Sequence, residues 1–416
     1  LRPDLLFAHR LWYRTRFHVP DGLADRSWLL VFPANNLNTT LYVNGQFCGF
    51  DKNPFARLQF DITAAVKPGV NELCVGIRDG WYGYQADPQD PVKLRRRWNL
   101  PLKFFSEGFQ ELVYPIWNQT QMGIVGTPEL IAAGQAYAAD VFCKPSVAKK
   151  QLGVEITLQD NRSSAGRADL LIEAVDDKTG TVEQTWARKG IDLHSRSAVL
   201  TTDLDWPHPR LWWPDDPACY RLRTTVQLGG QAVDVQETLF GFRQWTCDGT
   251  HLQLNGITWQ GFTEHGVPGE TPEEYLASLK DPRFNYGFGR MWPQHGGRYR
   301  WLGQEPAAVL TCMDRGGALI RRTGYLDGEA AGYMPAVLPE LGRNWIDHLQ
   351  AWIKGERNHP SIMIWSVENE LNFINARNLG QLDAWEPVLA DAWQAIQQVD
   401  PTRPIMVDGG GATRSQ

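Results

Sequence analysis

Late in the chain, the segment NHPSIMIWSVENEL (Asn358 to Leu371) sets a short apolar run directly before Glu368, Asn369 and Glu370. A run of that length reads as a strand, and side chains at the C-terminal end of a barrel strand project into the mouth where active sites form. A carboxylic acid there can protonate a leaving oxygen and later take a proton from water, provided burial and a second carboxylate raise its pKa. An asparagine beside it can bond a hydroxyl next to a carbon that gains positive charge in the transition state. Taken bare, Glu-Asn-Glu after a strand is more commonly a solvated loop or a helix N-terminus. The elements around it must decide.

From about residue 246, short apolar strands alternate with helical patterns, the signature of βα units. Strands are expected at Ile257 to Phe262, Phe284 to Arg290, Ala318 to Arg321, Ile362 to Trp365 and Pro404 to Val407. The first helix has three agreeing start signals: Thr271 as N-cap, Pro272 at its first position and Glu274 closing a capping box. Further helices are expected near Ala307 to Asp314, at Leu338 to Lys354, and along the stripe Leu382, Trp385, Leu389, Trp393 and Ile396. Trp345, Trp352, Trp385 and Trp393 thereby read as helix-to-barrel packing, and Trp365 as packing on its own strand. An eight-stranded barrel needs more strands than these, so 246–416 reads either as an open α/β sheet or as the N-terminal part of a TIM (β/α)8 barrel that continues in a longer chain.

The earlier sequence has a different texture. Residues 1–135 carry short alternating runs broken by turn residues, as in Leu41-Tyr42-Val43 leading through Asn44-Gly45 into Gln46-Phe47-Cys48. Asn-Gly between such runs signals a tight hairpin, because both residues tolerate positive φ. This reads as a jelly-roll β-sandwich. Residues 136–245 restart the pattern, with strands at Val154 to Leu158, Ala168 to Ala174 and Arg221 to Leu228, and read as a smaller, immunoglobulin-like β-sandwich.

The 416 residues suffice for two or three domains, and their 43% hydrophobic and 21% charged content is that of a globular chain. No apolar run approaches the ~18 residues that a membrane span needs. A net charge of −6 gives no electrostatic reason to expect nucleic acid or an anionic membrane as partner. The six cysteines lack metal-finger spacing and are expected to be buried small hydrophobes. No cofactor or metal site is evident. The 18 tryptophans offer flat apolar faces suited to sugar rings or to large cores.

Several segments, in this order, resemble glycoside hydrolase family 2, the group of β-galactosidases, β-glucuronidases and β-mannosidases. They are LWYRTRF (Leu11 to Phe17), LYVNG (Leu41 to Gly45), GIVGTPEL (Gly123 to Leu130) and RLWWPDDPACYRL (Arg210 to Leu222). LQLNGITWQGFTEHG, RNHPSIMIWSVENE and DPTRP follow. The resemblance implies a multidomain fold of jelly roll, immunoglobulin-like sandwich and catalytic barrel, and retaining, exo-acting hydrolysis of β-linked sugars. Carried onto this sequence, Glu370 matches the general acid/base and Asn369 the neighbour that contacts the sugar 2-hydroxyl. Arg290 matches the arginine that holds the nucleophile carboxylate, and Glu264 and His265 occupy a position of polar sugar contacts. The nucleophile itself, a glutamate after the seventh strand, would lie beyond Gln416, so residues 1–416 alone are expected to be inactive.

Arg290 is followed here by Met291-Trp292-Pro293-Gln294-His295, where the galactosidases and glucuronidases commonly have small and His-Tyr-Pro-like residues. Trp292 is the first aromatic to test as a sugar platform, with a buried rim residue as the alternative. Asp408, Asp327 and Glu329 are carboxylates near the expected mouth, read as substrate contacts or salt-bridge partners. Arg95-Arg96-Arg97 reads as a solvated loop. The expected partner is a carbohydrate substrate, with a homo-oligomer compatible, and a secreted or periplasmic location preferred over a cytoplasmic one. The competing reading is a non-catalytic carbohydrate-binding or scaffold protein with a degenerate barrel. The trio Arg290, Asn369 and Glu370 favours the enzyme.

Overall fold

The computed structural model describes residues 10–23, 25–36, 38–78, 123–162, 166–259, 264–265, 271–284, 287–291, 306–324, 339–369, 371 and 380–408, with backbone alone at 264–265, 284 and 339–341. In the N-terminal part, Asn44 and Gly45 take φ of 52° and 80° and turn Asn38–Val43 back onto Gln46–Asp51. These two strands join Arg10–Val19 and Gly69–Arg78 in a four-stranded sheet. A three-stranded sheet of Leu58–Asp61, Ser27–Phe32 and Glu129–Ala133 packs over it. Alternate residues of both sheets, Leu30 and Phe32 against Leu41, Val43, Val75 and Ile77, fill the space between them as the period of two requires.

The second sandwich sets a three-stranded sheet (Ala136–Ser146, Gln151–Asp160, Ser197–Asp205) against a four-stranded one (Val182–Asp192, Arg167–Asp176, Cys219–Leu228, Gln231–Gly241). Leu152, Val154, Ile156 and Leu158 point inward from one strand and meet Leu170, Ile172 and Leu222 from the other sheet.

A ribbon of Trp245–Asp248, His251–Leu254 and Ile257–Thr258 leads into the third part. The sequence placed the first parallel strand at Ile257 to Phe262. The Asn255-Gly256 turn, with φ of 53° and 83°, instead folds Ile257–Thr258 back antiparallel on Leu254, leaving Ile257 exposed. The parallel sheet begins later and runs in chain order: β1 (Glu264–His265), β2 (Phe288–Met291), β3 (Leu319–Thr323), β4 (Ile362–Ser366) and β5 (Ile405–Met406). β2 also starts later than the sequence suggested, because Pro282–Phe284 closes into a 3-10 turn.

The helices are α1 (Pro272–Leu279), α2 (Pro306–Gly316), α3 (Pro339–Glu356) and α4 (Leu382–Val399). Thr271 caps α1, its hydroxyl oxygen accepting the Glu274 N–H at 3.2 Å. Trp345, Trp352, Trp365 and Trp385 are buried in one core, while Trp393 is 38% exposed, against expectation. At about 100° per residue Trp393 lies roughly 80° round the helix from Trp385, on the margin of the stripe, and Ala392 and Ala395 take the inner positions. The cysteines also divide: Cys143 and Cys219 are buried, but Cys247 is exposed, and all six are free thiols.

The recurring segments serve as clasps between layers. Asn358 donates from Nδ2 to the Val141 carbonyl at 2.7 Å and accepts the Cys143 N–H at 2.9 Å, while Arg357 binds Asp140 at 2.5 Å. The strand Ala136–Ser146 is thereby pinned beneath β4. Trp212, fully buried, donates its indole N–H to the Asp314 carbonyl at 2.8 Å. Asp314 in turn accepts from His359 and Ser361 at 2.6 and 2.5 Å. In the DPTRP segment, Asp400 accepts the Trp365 indole N–H at 2.8 Å and pairs with Arg403, a buried pair whose partners hold the Asp400 carboxyl below the usual range despite its burial.

Consecutive residues of β3 point to opposite faces. Arg321 faces the inside of the sheet and Arg322 the helix layer, where Arg322 binds both oxygens of Glu356 at 2.7 and 2.5 Å and lies 5.0 Å from the Trp352 ring. Breaking such a pair from one side strands a buried charge. Glu356→Ala should therefore destabilise the α/β part by about 3–5 kcal/mol, read from urea denaturation followed by tryptophan fluorescence. A loss below about 1 kcal/mol would place Arg322 in water instead.

Candidate active site

The C-terminal ends of β2 to β5 converge on one polar cluster. Arg290 on β2 and Arg321 on β3 are register partners, so two cations stand side by side. Like charges in that arrangement repel. Asp408, two residues past β5, resolves the conflict: its Oδ2 lies 2.5 Å from a terminal nitrogen of each guanidinium. Arg290 further donates from Nε to the Thr323 hydroxyl at 3.1 Å and from Nη2 to Oδ1 of Asn369. Because the guanidinium only donates, it must meet the amide oxygen, and Asn369 is thereby oriented with Nδ2 on its opposite branch.

The backbone brings these groups close without side-chain bulk. Gly324 donates its N–H to the Ser366 carbonyl at 2.7 Å, and a Cβ added there would sit 1.9 Å from the Val367 carbonyl oxygen. Only glycine lets the ends of β3 and β4 approach this far. Val367 then continues the pairing to β5 with an N–H bond of 2.8 Å to the Met406 carbonyl.

Glu368 is fully buried behind this cluster. Its Oε2 accepts the Leu371 N–H at 2.5 Å and its Oε1 accepts the Asp408 N–H at 2.7 Å. Burial pushes its carboxyl up to about 8, and the nearby Asp408 charge adds to this; the two backbone N–H donors and Arg321 act in the opposite direction without offsetting it.

Of the residues singled out from the sequence, Arg290 and Asn369 are in direct contact, and Asp408, considered there as a substrate contact or ion-pair partner, is the anion both arginines share. Glu264 and His265 form β1, the edge of the sheet beside β2, but their side chains lie outside the described residues. Glu370, Trp292, Asp327, Glu329 and Arg95 to Arg97 also lie outside the described residues. Sequence reasoning missed Arg321 and the inward role of Glu368. The Arg321-Arg322 pair inside an apolar strand was the signal for the first. Among the described residues no group of three or more His, Cys, Asp or Glu side chains could hold a metal ion, and no helix is long and apolar enough to cross a membrane.

Comparison with known proteins places this chain in a family. Residues 5–100 match the glycosyl hydrolase 2 galactose-binding domain-like family, 136–243 the glycosyl hydrolases family 2 domain and 319–415 the glycosyl hydrolases family 2 TIM barrel domain. The chain belongs to glycosyl hydrolases family 2, with that family's jelly roll, immunoglobulin-like domain and part of its TIM barrel. A β-galactosidase of Enterobacter cloacae is 24% identical over 413 residues, a span of 96% of this chain and 36% of the relative. The chain thus spans about a third of the length of that relative. Among solved structures, the β-glucuronidase of Bacteroides uniformis is similar at a TM-score of 0.70 and 20% identity, covering 96% of this chain and 46% of its own. The β-glucuronidase of Ruminococcus gnavus is similar at a TM-score of 0.67 and 19% identity, covering 95% and 62%.

A carboxyl raised from its ordinary value of 4.5 to about 8 links folding to proton uptake. Between those values the unfolded chain has released the proton and the folded protein keeps it, so this contribution to stability falls as pH rises from about 4.5 to 8 and is constant outside that window. The melting temperature of Glu368→Gln should therefore fall less steeply between pH 5 and 8 than that of the parent protein. Parallel curves for the two would show that Glu368 titrates normally.

Proposed function

We propose that this chain contributes the sugar-binding half of the mouth, and the general acid/base, to a retaining, exo-acting β-glycoside hydrolase that removes terminal β-linked sugars. The observation that carries the proposal is that Arg290, paired with Asp408 at the C-terminal ends of the parallel strands, holds Asn369, the residue that immediately precedes Glu370. That is the face of a barrel where catalytic groups gather. The named β-galactosidase and β-glucuronidase relatives support a glycosidic substrate.

In this reading Glu370 gives its proton to the glycosidic oxygen as the bond from the anomeric carbon to that oxygen breaks. A second carboxylate, about 5–5.5 Å away, attacks the same carbon and forms a glycosyl ester. Glu370, now a base, takes a proton from the water that hydrolyses the ester and frees the second carboxylate. That nucleophile is assigned to the part of the barrel beyond residues 1–416. Asn369 donates to the sugar 2-hydroxyl from the amide that Arg290 orients. Glu264 and His265 at the end of β1, and Trp292 just past β2, are assigned to the sugar ring.

The test uses the full-length protein. Glu370→Gln should lower turnover of an unactivated glycoside on the order of 10²-fold or more. Azide, which needs no general base, should partly restore release of a dinitrophenyl leaving group and yield a glycosyl azide. Turnover of the unactivated glycoside at the parent rate would remove Glu370 from the reaction.

A further inference from the structure

Glu368 carries a consequence for the residue two places after it. Its carboxyl group is bonded to the backbone at two separate points, Leu371 at 2.5 Å and Asp408 at 2.7 Å. Leu371 follows Glu370 in the chain, and Asp408 is the anion shared by Arg290 and Arg321. On the other side of Glu370, Asn369 is held by Arg290. Both chain neighbours of Glu370 are thus fixed, one through a guanidinium and one through a carboxyl group. The Glu368 carbonyl is itself anchored, accepting the Ser366 hydroxyl at 3.1 Å. A glutamate with no exposed surface, its oxygens spent on the main-chain N–H groups of Leu371 and of Asp408 past the end of β5, is a costly device for simple packing. An apolar residue of similar size would fill the volume without the desolvation penalty, but it would leave two buried N–H groups without this acceptor.

We propose that Glu368 is a positioning residue that ties Leu371, the residue after Glu370, to the end of β5, and so sets where the acid/base stands relative to the Arg290–Asp408 pair. This rests on the reading of Glu370 as the proton donor. The side chain acts as a short strut: one oxygen holds the Leu371 N–H in the manner of a helix N-cap, with an i to i+3 bond, and the other fixes the neighbouring strand end. Loss of the strut lets the donor shift against the substrate, and a displacement of about 1 Å at a reacting group can cost on the order of 10²-fold in rate. The groups facing Glu368 are Asp408 from the end of β5 and Arg321 from β3, so its uncharged form also keeps a second negative charge away from Asp408.

A misplaced acid matters most where the leaving group needs its proton. In the full-length protein, kcat/KM of Glu368→Ala should fall ten- to a hundredfold for an alkyl glycoside, and less than about threefold for a dinitrophenyl glycoside, whose leaving group departs unprotonated. Glu368→Gln, which keeps the volume and one acceptor oxygen, should lie between it and the parent, and serves as the main test if the alanine variant fails to fold. Equal losses on both substrates, or none on either, in a variant with parent-like circular dichroism would overturn the proposal. Glu370→Gln is the control: if it too lacks the leaving-group dependence, the assignment of Glu370 has failed, whereas dependence in Glu370→Gln without dependence in the Glu368 variants rejects only the strut.

Discussion

The mouth of this α/β domain depends on one carboxylate shared by two arginines. Arg290 and Arg321 stand opposite each other on neighbouring strands, an arrangement that repels unless an anion lies between them. Asp408 supplies it from the end of β5, so the ion pairs can form only when β2, β3 and β5 are in register with β4 between them. The charges are largely removed from water, where an uncompensated member would cost several kcal/mol. The same contact therefore fixes strand order and, through Arg290, places Asn369, the residue before Glu370.

Around this cluster the fold works as nested supports. The helix layer is held through Arg322 and Glu356, one residue along β3 from the mouth. The second sandwich is held through Arg357, Asn358 and Trp212, which reach into or out of the same α/β core. Two of the segments that carry the family resemblance in the sequence, RNHPS and RLWWPDDP, are in large part the clasps that seat one layer on another.

Much of this was legible in the sequence because it is local. Asn-Gly pairs at Asn44 and Asn255 specified positive-φ turns, Thr271 specified a helix start, and the tryptophan stripes of the third and fourth helices specified buried faces. What was not legible depends on partners distant in the chain. Nothing beside Arg321 says that it will face Asp408, and nothing beside Glu368 says that it will turn inward to meet Leu371 and Asp408, because both depend on which strands become neighbours. Ile257 was misread for a related reason: an apolar run after a hairpin signal can return along the hairpin or enter the sheet, and pairing partners decide. Trp393 shows the limit of a stripe read by spacing alone, since a large side chain at its margin has room to turn outward while two alanines fill the seam.

The most direct measurement is a crystal structure of the full-length protein bound to an uncleavable glycoside analogue with nitrogen or sulfur in place of the glycosidic oxygen. The expected result puts the sugar across the C-terminal ends of β1 to β4, the Glu370 carboxyl within about 3.2 Å of that heteroatom, and the Asn369 amide on the 2-hydroxyl. A sugar bound elsewhere on the molecule, or a Glu370 carboxyl turned away from the heteroatom while Arg290 and Asp408 stay paired, would contradict the assignment of this mouth to glycoside cleavage.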